Sequence, residues 1–328
     1  MKKIILINII ILIFILIFLE LIANFFKISN LMGIEPGLIG NYKNNIHRMI
    51  PNSSGIHFGK RIFIDSNGYR VPYKDYEYSN SNNSVYIIGD STTFGNGVRE
   101  ENTFIGKLRK DLTNWNFYNT SVPGYQIKHF KENFENIDNI NNIKKVFYFI
   151  TLNDVFNDSN IIDLTKKKKN VVTENKNKKT YFLKKITMIN EINAFLRSKS
   201  YLYMYIKGIA TDPSKRYFKN ILSYYSKNDL EEMNIFLNQL KERTIKKNIQ
   251  LKIVILPYEF QTRNCSKGNL LPQNKLNKIL LDLKLDFIDY TLNFCNHKNP
   301  KSLFYKFDPM HLSKKGHLFV FNLVKNEM

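Results

Sequence analysis

The strongest constraint on this chain is the run Val85-Tyr86-Ile87-Ile88 passing directly into Gly89-Asp90-Ser91-Thr92-Thr93-Phe94-Gly95. Four apolar or aromatic residues without polar alternation, bounded by turn formers, read as a parallel strand buried on both faces. Ser91 then stands just past the carboxyl end of that strand, where open α/β sheets bind their ligands. A serine in that place is either a nucleophile, which needs a base and an oxyanion site, or a helix N-cap or phosphate-holding turn. There is no G-x-x-x-x-G-K-[ST], so the turn is not a P-loop. There is no G-x-S-x-G, so the usual strand-to-helix nucleophile elbow is absent as well.

The far end of the chain supplies the partners a nucleophile needs. Asp308-Pro309-Met310-His311 precedes a C-terminal helical segment. An Asp three residues before a His, on a Pro-broken turn, can orient the imidazole so that it takes the serine proton. His317 is the rival base and falls inside the expected terminal helix. Gly-Asp-Ser near the start of a domain and Asp-x-x-His near its end resemble the SGNH (GDSL-type) hydrolase family. Two intermediate blocks agree with that resemblance. Asn119-Thr120-Ser121-Val122-Pro123-Gly124-Tyr125 places Gly124 where the family has a glycine after its second strand. Phe147 to Asp154 places Asn153 in the family's Gly-x-Asn-Asp block, although Thr151 stands where the family has glycine.

The resemblance covers roughly Ser84 to the C-terminus, apart from a middle insertion. It implies Ser91 as nucleophile, His311 as general base and then acid, and Asp308 as its orienter. It also implies the Ser91 and Gly124 amides and the Asn153 side chain as oxyanion donors, with no cofactor and no metal. Gly124 suits the role because a residue without Cβ lets the backbone approach a ligand closely. Asn153 suits it because an amide NH2 donates without carrying charge. Asp90 and Asp154 read as turn anchors. The implied reaction is acyl transfer from an ester to water or another hydroxyl. The same four blocks serve esterases, lipases, sugar deacetylases and O-acyltransferases, and a fold does not choose among them. A catalytically silent glycan-binding module is a further alternative, opposed by the intact Ser91, Asn153, Asp308 and His311.

Periodicity along the chain supports an α/β fold with a doubly wound parallel sheet, a flavodoxin-like three-layer arrangement. Expected strands are Asn116–Asn119, Lys145–Thr151, Leu251–Leu256 and Leu285–Asp289. Expected helices are Glu100–Leu112, Gln126–Ile143, Asp229–Lys246, Lys275–Leu283 and a C-terminal one. His129, on the second of these helices, reads as a surface residue. Gly59–Arg70 reads as a hairpin with an Asn67-Gly68 turn, and Arg70 as an ion-pair partner or, less plainly, a substrate contact. Between the third and fourth strands the pattern fails over about residues 157–228. This partly helical insertion carries the lysine runs Lys166–Lys169 and Lys176–Lys179 and the aromatic stretches Tyr201–Tyr205 and Tyr217–Tyr225. It is a candidate lid over the substrate groove or, equally, a solvated and mobile excursion.

Ahead of the domain, Met1-Lys2-Lys3 is followed by Ile4–Phe26, in which Glu20 is the sole charge. About 20 apolar residues span a bilayer, and no small-residue cleavage pattern follows. The expected organisation is therefore a transmembrane anchor over residues 1–26, a linker and membrane-proximal lead-in over 27–83, and the hydrolase-like domain over 84–328. Lys2 and Lys3 favour a cytoplasmic N-terminus, which places the domain in the periplasm or cell exterior on the inner membrane. The net charge of +21 invites nucleic acid, anionic lipid or an acidic polymer as partner. The lysines are spread along the whole chain and no nucleic-acid-binding signature accompanies them, so nucleic acid is not expected. The expected partners are an acylated carbohydrate or lipid substrate and the membrane. Cys265 and Cys295 can pair in an oxidising compartment or stay as separate thiols. No C-x-x-C is present.

Overall fold

The computed structural model describes residues 2–41, 46–155, 189–263, 265 and 269–328. Helix α1 (Lys2–Phe26) leads the chain. It is followed by the strands β1 (Ile39–Asn41), β2 (His47–Met49), β3 (Ser54–His57), β4 (Lys60–Ile64) and β5 (Arg70–Val71). The parallel core begins with β6 (Asn83–Ile88), the short helix α2 (Ser91–Phe94) and α3 (Phe104–Asp111). Next come β7 (Trp115–Asn119), α4 (Ile127–Phe134) and β8 (Ile143–Ile150). The helices α5 (residues 189–199), α6 (Tyr201–Ala210), α7 (Pro213–Tyr217) and α8 (Lys227–Lys246) lead to β9 (Gln250–Ile255). The chain closes with α9 (Glu259–Arg263), α10 (Leu271–Asp282), β10 (Phe287–Asp289), α11 (Thr291–Cys295), β11 (Phe304–Tyr305), β12 (Asp308–Leu312) and α12 (Lys314–Val324).

Five strands run parallel in the order β7-β6-β8-β9-β10, the doubly wound order in which the chain steps out to β7 and then crosses β6 to reach β8. The strands are apolar on both faces because helices cover both. Tyr86 and Ile88 of β6, with Tyr148 and Ile150 of β8 and Ile253 of β9, pack beneath α4, α8 and α10. Val85, Ile87, Phe147, Phe149 and Val254 alternate to the opposite face and pack with α3 and α12. Truncating one of these, Phe149→Ala for example, removes contacts worth roughly 3–5 kcal/mol. Caps fix where the helices begin. Thr103 Oγ1 accepts from Gly106 N at 3.0 Å ahead of α3, and Ser313 Oγ from Gly316 N at 3.2 Å ahead of α12.

The lead-in adds to the sheet. β5, β4 and β3 extend it antiparallel beyond β7, so Ser54–Val71 covers what would otherwise be an open edge. The β4–β5 turn lies at Asn67-Gly68, as its composition suggests, with Asp65 Oδ1 accepting from Asn67 N and Tyr69 N at 2.8 Å each. A second turn, Phe58-Gly59, joins β3 to β4 with both residues at positive φ, 49° and 73°, the arrangement of a tight two-residue hairpin.

Other sequence expectations shift. The helix expected over Gln126–Ile143 ends at Phe134 and continues as a 3-10 turn over Glu135–Asn139. Asp308 and His311 lie on a strand rather than a loop, in a two-stranded antiparallel ribbon with β11. His129 is buried, not at the surface. Its ring stacks on Tyr125 with centroids 5.0 Å apart, and its Nδ1 accepts from Gln126 N at 3.2 Å as part of the α4 capping box. Cys265 and Cys295 form a disulfide. The two lysine runs of the insertion fall outside the described residues.

Candidate active site

The carboxyl ends of β6 and β8 flank the point where the strand order reverses, and each delivers one element of the site. After β6, Asp90 caps α2, its Oδ1 accepting from Thr92 N at 2.9 Å. Ser91 is therefore the first residue of the helix, where the leading N–H groups have no partner within the helix. β12 docks against α2, with Thr92 Oγ1 3.4 Å from Met310 O. This brings His311 Nε2 to 2.8 Å from Ser91 Oγ. On the other side of the ring, His311 Nδ1 lies 2.6 Å from Asp308 Oδ2. All three residues are buried.

Two opposing effects act on His311. Burial disfavours its charged form, but the charge of Asp308 and its hydrogen bond outweigh this and raise the imidazole above its ordinary range. An imidazole that donates Nδ1–H to Asp308 presents its Nε2 lone pair to Ser91. That is the tautomer needed to accept the hydroxyl proton. The rival His317 is elsewhere. It is buried on α12, stacks on Phe104 at 5.7 Å and accepts from Phe104 N at 3.3 Å. Burial and the nearby Arg70, His311 and Lys107 charges lower it to about 3.

Asn153 reaches the same place from β8. Its Nδ2 donates to Asp90 Oδ2 at 3.0 Å, and that carboxylate oxygen also lies 3.3 Å from Ser91 Oγ. The second amide hydrogen of Asn153 is available to another acceptor. Its Oδ1 accepts from Tyr258 OH, a partner on the segment after β9. Thr151 Oγ1 lies 3.0 Å from Asn153 Oδ1 and 3.1 Å from Asp154 Oδ1. Burial and the Asp90 charge push the Asp154 carboxyl well above the carboxylate range. The Thr151 hydroxyl is shared between the Asn153 and Asp154 oxygens, while Asn153 Nδ2 donates to Asp90. Thr151 and Tyr258 together bracket the Asn153 oxygen.

Gly124 is exposed, with φ +82°, and a side chain there would first meet the His47 ring at 3.5 Å. The described contacts therefore join Ser91, His311, Asp308 and Asn153 in one network, while Gly124 stands outside it.

Several residues at the site carry no sequence signature. Asn96 Nδ2 lies 3.2 Å from His311 Nε2. Phe58, at the tip of the β3–β4 turn, packs edge-on to the His311 ring at 5.7 Å. Beside it, His57 is buried with both ring nitrogens unpartnered among the described residues, and burial with the Arg70 and His311 charges lowers it to about 3. Arg70 is fully buried, but its partners are carbonyls and not a carboxylate. Nη1 donates to Phe94 O at 2.6 Å and to Gly95 O at 2.8 Å. The one sequence signal for it was the Asn67-Gly68 turn that places it on β5.

No family model matches the chain, and no curated protein matches it in sequence. Solved structures that it is similar to include an acetyl xylan esterase, with 18% identity, TM-score 0.46, and 75% of this chain and 99% of that one covered. An acetylxylan esterase from Geobacillus stearothermophilus is another, with 14% identity, TM-score 0.42, and coverage of 75% and 94%. A member of the lipolytic protein G-D-S-L family from Veillonella parvula has 12% identity, TM-score 0.39, and coverage of 74% and 96%.

Proposed function

We propose that this chain is a membrane-anchored serine esterase of the SGNH type, with Ser91 as nucleophile, His311 as base and Asp308 as orienter. The observation that carries this reading is the continuous chain of short contacts from Ser91 Oγ through His311 to Asp308. Ser91 Oγ attacks the ester carbonyl as His311 Nε2 takes its proton. Asp308 holds the ring and stabilises its charged form. His311 then returns the proton to the leaving alkoxide. In the second half-reaction it activates water, or an acceptor hydroxyl, against the acyl-enzyme. The oxyanion would lie at the N-terminus of α2, within reach of the Ser91 N–H and the free hydrogen of the Asn153 amide. Loss of one such donor typically costs roughly 3 kcal/mol of transition-state binding.

Helix Lys3–Phe26 is long and apolar enough to cross a membrane, and all its residues but Glu20 and Ala23 are exposed. A signal sequence passes the same test. The absence of a cleavage pattern and the presence of Lys2 and Lys3 support an uncleaved anchor with the domain outside the cytoplasm. The Cys265–Cys295 disulfide agrees with an oxidising compartment. In that location the substrate is an acyl, most simply O-acetyl, ester on a surface glycan or lipid.

The test is turnover of a chromogenic acetyl ester by the wild-type protein, Ser91→Ala, His311→Ala and the double variant. Each single change should lower kcat by about 10^4-fold or more, and the double change should add little. Turnover that persists in folded Ser91→Ala removes the assignment. Running the same assay on an acetylated glycan, with and without an acceptor sugar, separates hydrolysis from O-acyltransfer.

A further inference from the structure

Glu20 is the one charge in the apolar run Ile4–Phe26 of α1, about 26 Å along the helix axis from Lys3. That depth is near the far boundary of a hydrocarbon core of roughly 30 Å, where a bare carboxylate is costly. The structure explains its presence. Glu20 Oε1 accepts from Tyr201 N at 2.8 Å, and Oε2 accepts from Leu202 N at 3.1 Å and Ser200 Oγ at 2.5 Å. The carboxylate therefore caps helix α6 and interacts with the positive end of its dipole. The same corner is tied down twice more. Ser29 Oγ donates to Tyr201 O at 2.6 Å, and Met32 N to Arg197 O at 2.9 Å. The turn between α5 and α6 is thus fixed against the end of α1.

From this corner the two helices form a pair, joined where Asn193 Oδ1 accepts from Tyr203 OH at 2.8 Å and from Lys207 Nζ at 2.6 Å. Each presents large apolar side chains to the outside. On α5 these are Ile189, Ile192 and Phe195, at 52%, 50% and 63% exposure, and on α6 Ile206 and Ile209, at 53% and 63%. The spacing is that of a helix with one apolar stripe, and water is a poor neighbour for such a surface. Lys27 and Lys199 are exposed at the same level, where basic side chains meet lipid headgroups. The pair also reaches the triad. The Phe307 ring packs edge-on to Tyr205 at 5.5 Å and fills the space that a side chain at Gly208 would need, and Phe307 directly precedes Asp308.

We infer that α5 and α6 form a second membrane contact, their apolar face sunk in the leaflet that α1 leaves, holding the Asp308–His311 segment at the lipid surface. The occupant of this face is the bilayer itself, because Glu20 within the apolar run of α1 bonds the start of α6 and so fixes the pair beside the membrane-crossing helix. The ester that reaches Ser91 is then one presented at the membrane surface, on a lipid or lipid-linked carrier. This rests on the reading of α1 as an anchor.

The test uses the full chain in phosphatidylcholine and phosphatidylglycerol vesicles whose acyl chains are brominated near the headgroup. Phe195→Trp and Ile206→Trp are each introduced into a Trp115→Phe background. An interfacial helix buries its apolar face roughly 5–10 Å into the headgroup and acyl boundary, so both new tryptophans should lose most of their emission. The wild-type protein, whose single tryptophan Trp115 opens β7, should keep its own. Unquenched emission at either position, in protein that floats with the vesicles, overturns the inference and leaves the anchor intact. A cross-linked dimer with unquenched tryptophans assigns the face to a second copy and overturns it equally. Protein that fails to float removes the anchor reading and this inference together.

Discussion

Arg70 and Val98 are joined by a hydrogen bond of 2.6 Å, from the guanidinium Nη2 to the carbonyl oxygen. With the two bonds from Nη1 to Phe94 and Gly95, a single buried side chain satisfies the carbonyls where α2 ends. Burial lowers the guanidinium to about 10, so it stays charged at neutral pH and favours the negative end of the helix. Arg109 backs it, donating to Arg70 O at 3.1 Å and pairing with buried Glu100. The segment held this way contains Asn96, the neighbour of His311.

Arg70→Met should strip the buried Phe94 and Val98 carbonyls of the donor that Arg70 supplies, while Gly95 O keeps Val98 N at 3.2 Å. At about 1–3 kcal/mol for each unsatisfied group, the loss in unfolding free energy should be about 2 kcal/mol or more. Arg70→Lys should fall between the two, because an ammonium lacks the planar fork that reaches several acceptors. Denaturant titration of the three proteins measures this. Equal stability of wild type and Arg70→Met would mean that the carbonyls find other donors and that Arg70 is no clamp.

His57 and His317 make the fold acid-sensitive. Both are held to about 3 in the folded state, against about 6.5 in an unfolded chain. The sign follows from which state takes the proton. Below pH 6.5 the unfolded chain binds protons that the folded one refuses, so stability falls as pH drops from about 6.5 towards 3. At pH 5 each histidine should cost about 2 kcal/mol relative to pH 8. His57 has no hydrogen-bond partner to lose, so His57→Phe should fold and show a shallower decline. Melting curves between pH 4 and pH 8 report it, and identical slopes for the two proteins would exclude His57 as a contributor.

The parts of the fold legible in the sequence are those written as local pattern. β6 and β8 are apolar runs long enough to be buried strands, and Ser91 and His311 sit in short blocks that survive without any alignment. What the sequence hid is set by distant neighbours. Phe58-Gly59 places a non-glycine residue at positive φ, and composition does not mark such a turn. His129 looks like a polar residue on an amphipathic helix, and only the Tyr125 ring and the Gln126 amide draw it inside. Pro309 suggested a break, but a two-stranded ribbon leaves edge positions where a missing N–H costs nothing, so Asp308–Leu312 is a strand. Glu20 is a visible charge in an apolar run, yet its partners lie at the start of α6, inside the stretch 157–228 where the strand–helix periodicity fails.

The Cys265–Cys295 disulfide links the segment after α9 to the end of α11, across a sequence separation of 30. Closing a loop of that length removes unfolded-state entropy worth about 3–4 kcal/mol. Cys265→Ser/Cys295→Ser should therefore unfold at lower denaturant while keeping its esterase activity when folded, since neither cysteine touches Ser91 or His311. Chevron analysis with and without a reductant would show it. A stability unchanged by reduction would place the bond's effect outside the folding equilibrium.

Thr151 offers the sharpest test of how the oxyanion side is built. Its hydroxyl lies 3.0 Å from Asn153 Oδ1 and 3.1 Å from Asp154 Oδ1, and the Asn153 amide points one hydrogen at Asp90 and leaves the other for the proposed oxyanion. Thr151→Gly should loosen the Asn153 amide, which then keeps only its Tyr258 and Asp90 partners. A hydrogen bond felt only in the transition state lowers kcat and leaves KM nearly unchanged. Losing its orienting partner should cost about 1.4 kcal/mol, or roughly tenfold in kcat. Thr151→Ser keeps the hydroxyl and should retain most of the activity, which separates the hydrogen bond from any effect of the altered backbone. Steady-state kinetics on one acetyl ester, with melting temperatures for all three proteins, decide the matter. If Thr151→Gly and Thr151→Ser lose activity equally, the methyl group and its packing carry the effect and the orienting role of the Thr151 hydroxyl is wrong.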